Sequence, residues 1–364
     1  MFEKAKVDRL GMRIYKMNVK QLADFFTELV YGKEDENIDF LEFGYKLCDQ
    51  LKEEGKSFSR IKTSLNSLKD FTGGKLDINE LTSRFLFNYE KYLRSERKLK
   101  RINQLGKEVI TVRKPMSDHG IADYMTDIRT VFNAAIFEYN DDETGNIRIM
   151  HYPFKKYKLP VVRETAKRNI SVEQLRCIMS LKEEDMDARL TILARDVFLI
   201  SFYLIGMNMV DLFSIEFKSY ENGRITYKRA KTRGKRRDEA LISIKVESEA
   251  MPLVEKYRDP DKKRVFDFYK RYKTFQYFTS AIDRGLKDVA KLCNIDVPLS
   301  TYYARHTWAT IARNKCNKSK EDIQECLNHA GSSSMKITDI YIEKGWGIID
   351  RTNRDVLDYV KNFS

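Results

Sequence analysis

Proline and glycine are scarce in this chain, six and sixteen in 364 residues. Long stretches run without either, which favours helices over a turn-rich β architecture. Cysteine is scarcer still: Cys48, Cys177, Cys293, Cys316 and Cys326. Their number is odd and no two form a CxxC pair, so neither a disulfide scaffold nor a zinc site is expected. The expectation is small buried thiols in a reducing compartment, with no metal. No apolar run approaches the roughly 20 residues that a membrane helix needs. No signal-peptide pattern opens the chain. A cytoplasmic protein with no membrane partner is therefore expected.

What is present fits a folded, basic protein. Hydrophobic residues make up 42% and charged residues 33% of the sequence. That supports a packed core in two or three domains and excludes a disordered chain. The net charge of +13 suits a polyanion, usually nucleic acid. Charge alone does not separate a nucleic-acid binder from a merely basic protein, so motifs must decide.

Hydrophobic spacing divides the chain. Residues 1–37 read as an N-terminal helical segment, with Val19, Leu22, Phe25, Phe26 and Leu29 at helical spacing. Residues 38–140 read as a helical bundle. Its stripes are Phe40, Phe43, Leu47 and Leu51, then Ile61, Leu65, Leu68 and Phe71 ended by Gly73–Gly74. A third helix carries Leu81, Phe85, Tyr89 and Leu93, with Asn79 as its expected cap. A fourth runs through Ile121, Met125, Ile128 and Phe132. Between the last two lies a basic loop: Arg94 to Lys114 holds eight Lys/Arg against two Glu. Arg101, Lys107, Arg113 and Lys114 on it are candidate phosphate contacts, because clustered cations release counterions from nucleic acid. A solvated loop is the plainer alternative.

Residues 141–168 read as a basic linker, and 169–364 as a second folded unit. Ser171 with Gln174 is a capping box. Ala188 to Met207 is a long apolar helix. Arg224 to Tyr227 and Leu241 to Ile244 are β-rich and enclose Lys228 to Arg237, seven basic residues and no acidic one. That predicts a basic hairpin or three-stranded sheet, with Arg229, Arg233, Lys235 and Arg236 as candidate DNA contacts.

Three segments carry the chemistry. They are Arg305-His306-Thr307-Trp308-Ala309-Thr310, then Leu327-Asn328-His329, then Tyr341, twelve residues beyond His329. Together with their order, these residues resemble the tyrosine recombinases, or phage integrases. That family carries an Arg-His-Thr-aromatic-Ala-Thr helix, a Leu-Gly-His turn and a tyrosine about a dozen residues on. The wording is most like integrases of Bacteroidetes mobile elements.

The resemblance covers about 169–364, and the bundle before it looks like the family's SAM-like core-binding domain. It implies a mainly α protein: a helical SAM-like domain plus a mixed α/β catalytic domain with a small antiparallel sheet. The two would clamp duplex DNA, monomeric when free and homotetrameric on DNA. It implies site-specific recombination through a 3′-phosphotyrosine, with no cofactor.

Attack on a phosphodiester builds negative charge on the non-bridging oxygens, which fixed cations must stabilise. Arginine suits this because its fork matches two oxygens. The resemblance makes Tyr341 the nucleophile, Arg305 the second arginine and His329 a phosphate hydrogen-bond partner. Lys231 becomes the general acid, with Lys228 and Lys235 close enough to compete. His306 would be structural. The terminal helix, Ile348 to Phe363, would dock on a neighbouring protomer, with packing on its own domain as the alternative.

Two positions depart from the pattern. Asn208 stands where the first arginine belongs, and Tyr302 where a histidine precedes Arg305 by three. An amide donates a hydrogen bond but no charge, and a phenol is a poor base near neutral pH. Another cation, Arg233 or Arg236, is expected to fill the gap. The competing readings are a relative that binds DNA without cleaving it, and a helical RNA-binding or scaffold protein.

Overall fold

The computed structural model describes residues 17–23, 37–102, 106–141, 143, 145–162, 167–236, 238–329 and 345–363. It is mainly helical with small antiparallel sheets, and it divides into units 1–165 and 166–364.

Among the described residues of the first unit, α1 (Phe40–Glu53), α2 (Ser59–Thr72), α3 (Ser83–Leu93) and α4 (Asp118–Tyr139) pack into a bundle. Asp39 caps α1 by accepting from the amides of Leu41 and Glu42. Gly73 ends α2 in the left-handed conformation, at φ 80°, that a residue without Cβ adopts freely. Phe40, Leu65, Leu68, Tyr89, Ile128 and Phe132 form the centre of the core. The expected cap of α3 moves: Thr82 accepts from Phe85 N, while Asn79 lies in a short 3₁₀ turn capped by Asp77.

The basic stretch between α3 and α4 is a two-stranded ribbon rather than a loop. Strand β1 (Arg97–Ile102) pairs with β2 (Glu108–Arg113), Arg97 opposite Arg113. The period-2 signal lay in Val109-Ile110-Thr111-Val112, where β-branched residues prefer a pleated backbone. The stretch read as a linker is also part of the bundle. Two-residue strands β3 (Asn140–Asp141) and β4 (Asn146–Ile147) turn the chain back, and Ile149, Phe154 and Tyr157 are buried in the core. The aromatic residues outweigh the neighbouring lysines, whose long stems keep their charge in water.

In the second unit the capping box at Ser171 and Gln174 opens α5 (Val172–Ser180). Helix α6 (Arg189–Tyr203) runs through the middle of the core, with α7 (Met209–Ser214) after a sharp turn. Strands β5 (Tyr220–Glu221), β6 (Arg224–Lys228) and β7 (Leu241–Lys245) form a meander. Helices α8 (Met251–Lys256), α9 (Phe268–Arg271), α10 (Phe275–Leu292), α11 (Thr301–Asn314) and α12 (Lys320–Cys326) complete the core. Gly285 lets α10 lie against α6, since a Cβ there would sit 2.7 Å from the Leu190 carbonyl oxygen.

Two cysteines do more than fill space. Cys177 on α5 and Cys293 after α10 are disulfide-bonded, their Cα atoms 5.8 Å apart across 116 residues of sequence. That separation hides the pair from any reading of local spacing. Cys48 and Cys326 are buried thiols, as expected.

Helix α13 (Gly347–Asn362) packs on its own domain. Val356, Leu357 and Val360 are buried, and Asn353 bridges the Trp308 indole N–H at 2.9 Å and the Tyr203 carbonyl at 3.0 Å. Asp350 pairs with both terminal nitrogens of Arg224, at 2.7 and 3.0 Å. The apolar stripe that suggested a neighbouring protomer is thus buried within one chain. Asn353→Ala leaves an indole donor and a carbonyl buried without partners. A loss of about 2–3 kcal/mol in urea unfolding is expected; a change under about 0.5 kcal/mol would show that this anchor does not hold α13.

Candidate active site

The site is built where α11, the turn after α6, the turn between β6 and β7 and the turn after α12 meet. Helix α11 presents Arg305 at its second turn, and Arg305 is only 8% exposed. The chain after α6 passes directly over it. Gly206, at φ 66°, has its α-carbon so close that a Cβ would lie 2.4 Å from Arg305 Cα. Only glycine fits there. The preceding Ile205 is buried with φ 59°, a strained backbone for a β-branched side chain. Such strain persists because core packing on both sides holds the turn in place.

The Arg305 guanidinium is held from three sides. Nη1 donates to the Gly206 carbonyl at 3.0 Å. Nη2 donates to the Leu327 carbonyl and lies 3.2 Å from His329 Nε2. Burial first, and then repulsion from Arg229, lowers the Arg305 pKa to about 10, so it stays charged at neutral pH.

Arg229 is the residue whose role the sequence reading missed. It was expected as an ordinary DNA contact on the basic hairpin, yet it is 4% exposed. It follows β6 directly, and its Nη1 donates to the Asn328 carbonyl at 3.3 Å. With the Asn208 amide oriented to satisfy both groups, the amide oxygen accepts from Arg229 Nη2 at 3.3 Å and Nε at 3.2 Å. The Arg229 guanidinium is therefore held between Asn208 and the Asn328 carbonyl. Asp211, buried beneath, accepts from Ala230 N at 2.9 Å. Desolvation raises the Asp211 pKa, opposed by that amide, by Asn208 and by Arg229 and Arg305. No local signal singles Arg229 out, because it is one of seven basic residues between Lys228 and Arg237.

Asn328 explains how this chain manages without the glycine of the Leu-Gly-His pattern. It takes φ 49°, which asparagine tolerates better than most residues. Its side chain donates to the Ala240 carbonyl at 2.6 Å and accepts from Arg236 Nη1 at 2.9 Å. Arg236 also pairs with Asp238, while Arg233 is exposed on the 3₁₀ turn. Arg195 is tied to Asp196 at 2.5 Å, consistent with a structural part.

Lys231 is exposed on the same turn, near enough to His329 to perturb it. Partial desolvation, together with Arg305, Arg229, Lys231 and Arg236, pushes the His329 pKa down to about 4, although the residue reaches solvent. A guanidinium only donates, so Nε2 facing Arg305 is the acceptor and Nδ1 carries the proton. Tyr302 is 40% exposed one turn before Arg305, its ring 5.0 Å from that of His306. The structure thus gathers Arg305, His329, Lys231, Asn208 and Tyr302 with Arg229 and Arg236. Tyr341, the loop expected before it and the side chain of Lys235 lie outside the described residues. Lys107, Arg113 and Lys114 are exposed in the first unit, on or beside the β1–β2 ribbon; the Arg101 side chain also lies outside the described residues.

Residues 39–159, about a third of the chain, match the phage integrase SAM-like domain. No curated protein sequence matches the chain. Among solved structures, a lambda integrase tetramer bound to a Holliday junction is similar at a TM-score of 0.55 and 11% identity, over 88% of this chain and 86% of that one. A lambda integrase(75-356) dimer bound to a COC′ core site gives 0.54 and 12%, over 83% and 95%. XerH site-specific recombinase on palindromic difH substrate, a post-cleavage complex, gives 0.50 and 13%, over 90% and 86%.

The depressed His329 pKa is directly measurable. Its imidazole signal in NMR should titrate near pH 4, and Arg229→Ala should move the midpoint toward the ordinary 6.5 by removing a cation. Because the folded pKa lies below the unfolded one, this group's contribution to stability is full above about pH 6.5 and shrinks as pH falls toward 4. A midpoint at 6.5 in the unaltered protein would overturn this picture of the site. By its matched N-terminal domain and by its fold, the chain is similar to the integrases that recombine DNA.

Proposed function

We propose that this protein is a tyrosine site-specific DNA recombinase of a mobile element, most like integrases of Bacteroidetes elements in its motifs. The observation that carries the reading is the convergence of two buried guanidiniums, Arg305 and Arg229, with His329 and the exposed Lys231. Such a cluster suits one phosphate diester, which offers the charge the arginines lack and the acceptors their N–H groups can serve. The similarity in fold to DNA-bound integrases supports the same partner, duplex DNA.

In the reaction, Tyr341 Oη attacks phosphorus and its proton passes to water. A 3′-phosphotyrosine bond forms while the bond from phosphorus to the 5′ oxygen breaks. Lys231 protonates that departing oxygen. Arg305 and Arg229 hold the non-bridging oxygens, and His329 donates through Nδ1. Arg229 is the cation that replaces the missing first arginine, with Asn208 and Asp211 positioning it; Arg236 is committed to Asn328 and Asp238. Tyr302 offers a phenol where a histidine is usual. Arg233, Lys235, Arg101, Lys107, Arg113 and Lys114 bind the DNA backbone. Bond energy is conserved in the phosphotyrosine, so no cofactor is needed. Four protomers act on two DNA sites in the cytoplasm.

Asn208 and Tyr302 favour one alternative, a relative that binds DNA without cutting it. A nicked suicide substrate separates the two. The proposal expects a covalent protein–DNA adduct that vanishes in Tyr341→Phe with binding retained; no adduct from the unaltered protein supports the alternative. Lys231→Ala should slow cleavage by about 10²–10⁴-fold. A bridging 5′-sulfur, which leaves without a proton, should restore the rate. An equal defect on both substrates removes Lys231 as the acid.

A further inference from the structure

The β1–β2 ribbon has a face that the bundle does not use. Pleating puts Arg97, Leu99 and Thr111 on the side toward the helices. Arg97 is buried, its guanidinium over the Tyr92 ring at 5.5 Å and donating to the Lys114 carbonyl at 3.1 Å. The other side carries Lys98, Lys100, Ile102, Ile110 and Val112, with Lys98 opposite Val112, Lys100 opposite Ile110, and Glu108 opposite Ile102 and 3.2 Å from the Lys100 ammonium. Ile102 is 78% exposed, Ile110 59% and Val112 52%. Lysines alone would be explained as edge-strand protection against pairing with another strand. Three large aliphatic side chains in water beside them are not, because apolar area left in water forgoes the free energy of burial.

We propose that this ribbon enters the major groove of duplex DNA, its lysines on the phosphates and its aliphatic row against thymine methyl groups. The inference rests on the recombinase reading for its partner, and adds where and how the first unit reads DNA. A major groove about 12 Å wide admits a two-stranded ribbon. Six residues of strand span roughly 20 Å, about six base-pair steps. Beside β1 lies a polar cleft lined by Asn66, Lys69, Asp70 and Gly73 from the end of α2 and by Lys98 and Lys100 of the ribbon. Charge decides between occupants. A second copy of this chain would bring another +13 to a basic face, whereas DNA brings phosphates for the lysines and methyl groups for the aliphatic row.

The test uses the full chain and a mixed-sequence duplex several helical turns long, made with thymine or with uracil, which lacks the methyl. Affinity is read by fluorescence anisotropy between about 50 and 200 mM salt. The unaltered protein should bind the thymine duplex several-fold more tightly, and I110S/V112S should bind both duplexes alike. K98A/K100A should flatten the slope of log affinity against log salt by roughly 1–2, the lower figure if Lys100 keeps its pairing with Glu108. All four positions are exposed, and an unchanged Tm confirms that the variants fold. An unchanged thymine preference and slope in the variants overturns the ribbon alone. A change only in oligomeric state overturns it in favour of self-association. Absence of duplex binding by the unaltered protein overturns the recombinase reading as well.

Discussion

Two buried arginines of like charge, brought together from different segments, are the constraint around which the second unit is arranged. Arg305 is held below its ordinary pKa by burial and then by Arg229, and partial burial followed by the two arginines pushes His329 down to about 4. Asp211 is the acid that faces both among the described residues, and desolvation raises its own pKa. A buried cation pair with so little compensation is expensive in a low-dielectric interior. An incoming phosphate diester would relieve that cost, and the relief would grow as charge builds in a transition state.

The backbone follows from the same demand. Each guanidinium donates to a carbonyl of the turn after α12, Arg305 to Leu327 and Arg229 to Asn328. The turn can offer both carbonyls because Asn328 accepts a positive φ and ties its own side chain to Ala240 and Arg236. On the other side Gly206 and the strained Ile205 bring the end of α6 against Arg305. The terminal helix locks the floor through Asn353, which joins Trp308 on α11 to the carbonyl that ends α6. The result is a site whose two buried guanidiniums are fixed by hydrogen bonds to packed backbone, as preorganised electrostatics requires.

Much of this was legible in the residues. Helical periodicity marked the helices of both units, and the capping box at Ser171 located the start of α5. The order Arg305, His329, Tyr341 pointed to the reaction class, and the structure brings the first two within hydrogen-bonding distance. What was hidden depended on long-range partners. The β1–β2 ribbon was masked by its lysines and arginines, which obscured a short β-branched alternation. The Cys177–Cys293 bond spans 116 residues and leaves no local mark. Arg229 looked like one cation among seven in a basic turn; only its burial against Asn208 and Asn328 separates it from Arg233 and Arg236.

On the proposed recombinase reading, Asn208 marks a relocation of charge rather than a loss of it. An amide at position 208 accepts from a guanidinium that arrives from the neighbouring turn, so charge and hydrogen-bond donors stay in place although the sequence position is empty. The most direct measurement is single-turnover cleavage of a nicked suicide substrate by Arg229→Ala and by the same variant carrying Asn208→Arg. The account predicts a fall of about 10²–10³-fold in the first, with duplex binding retained, and a substantial recovery when the cation returns at 208. Cleavage by Arg229→Ala at the unaltered rate would contradict it.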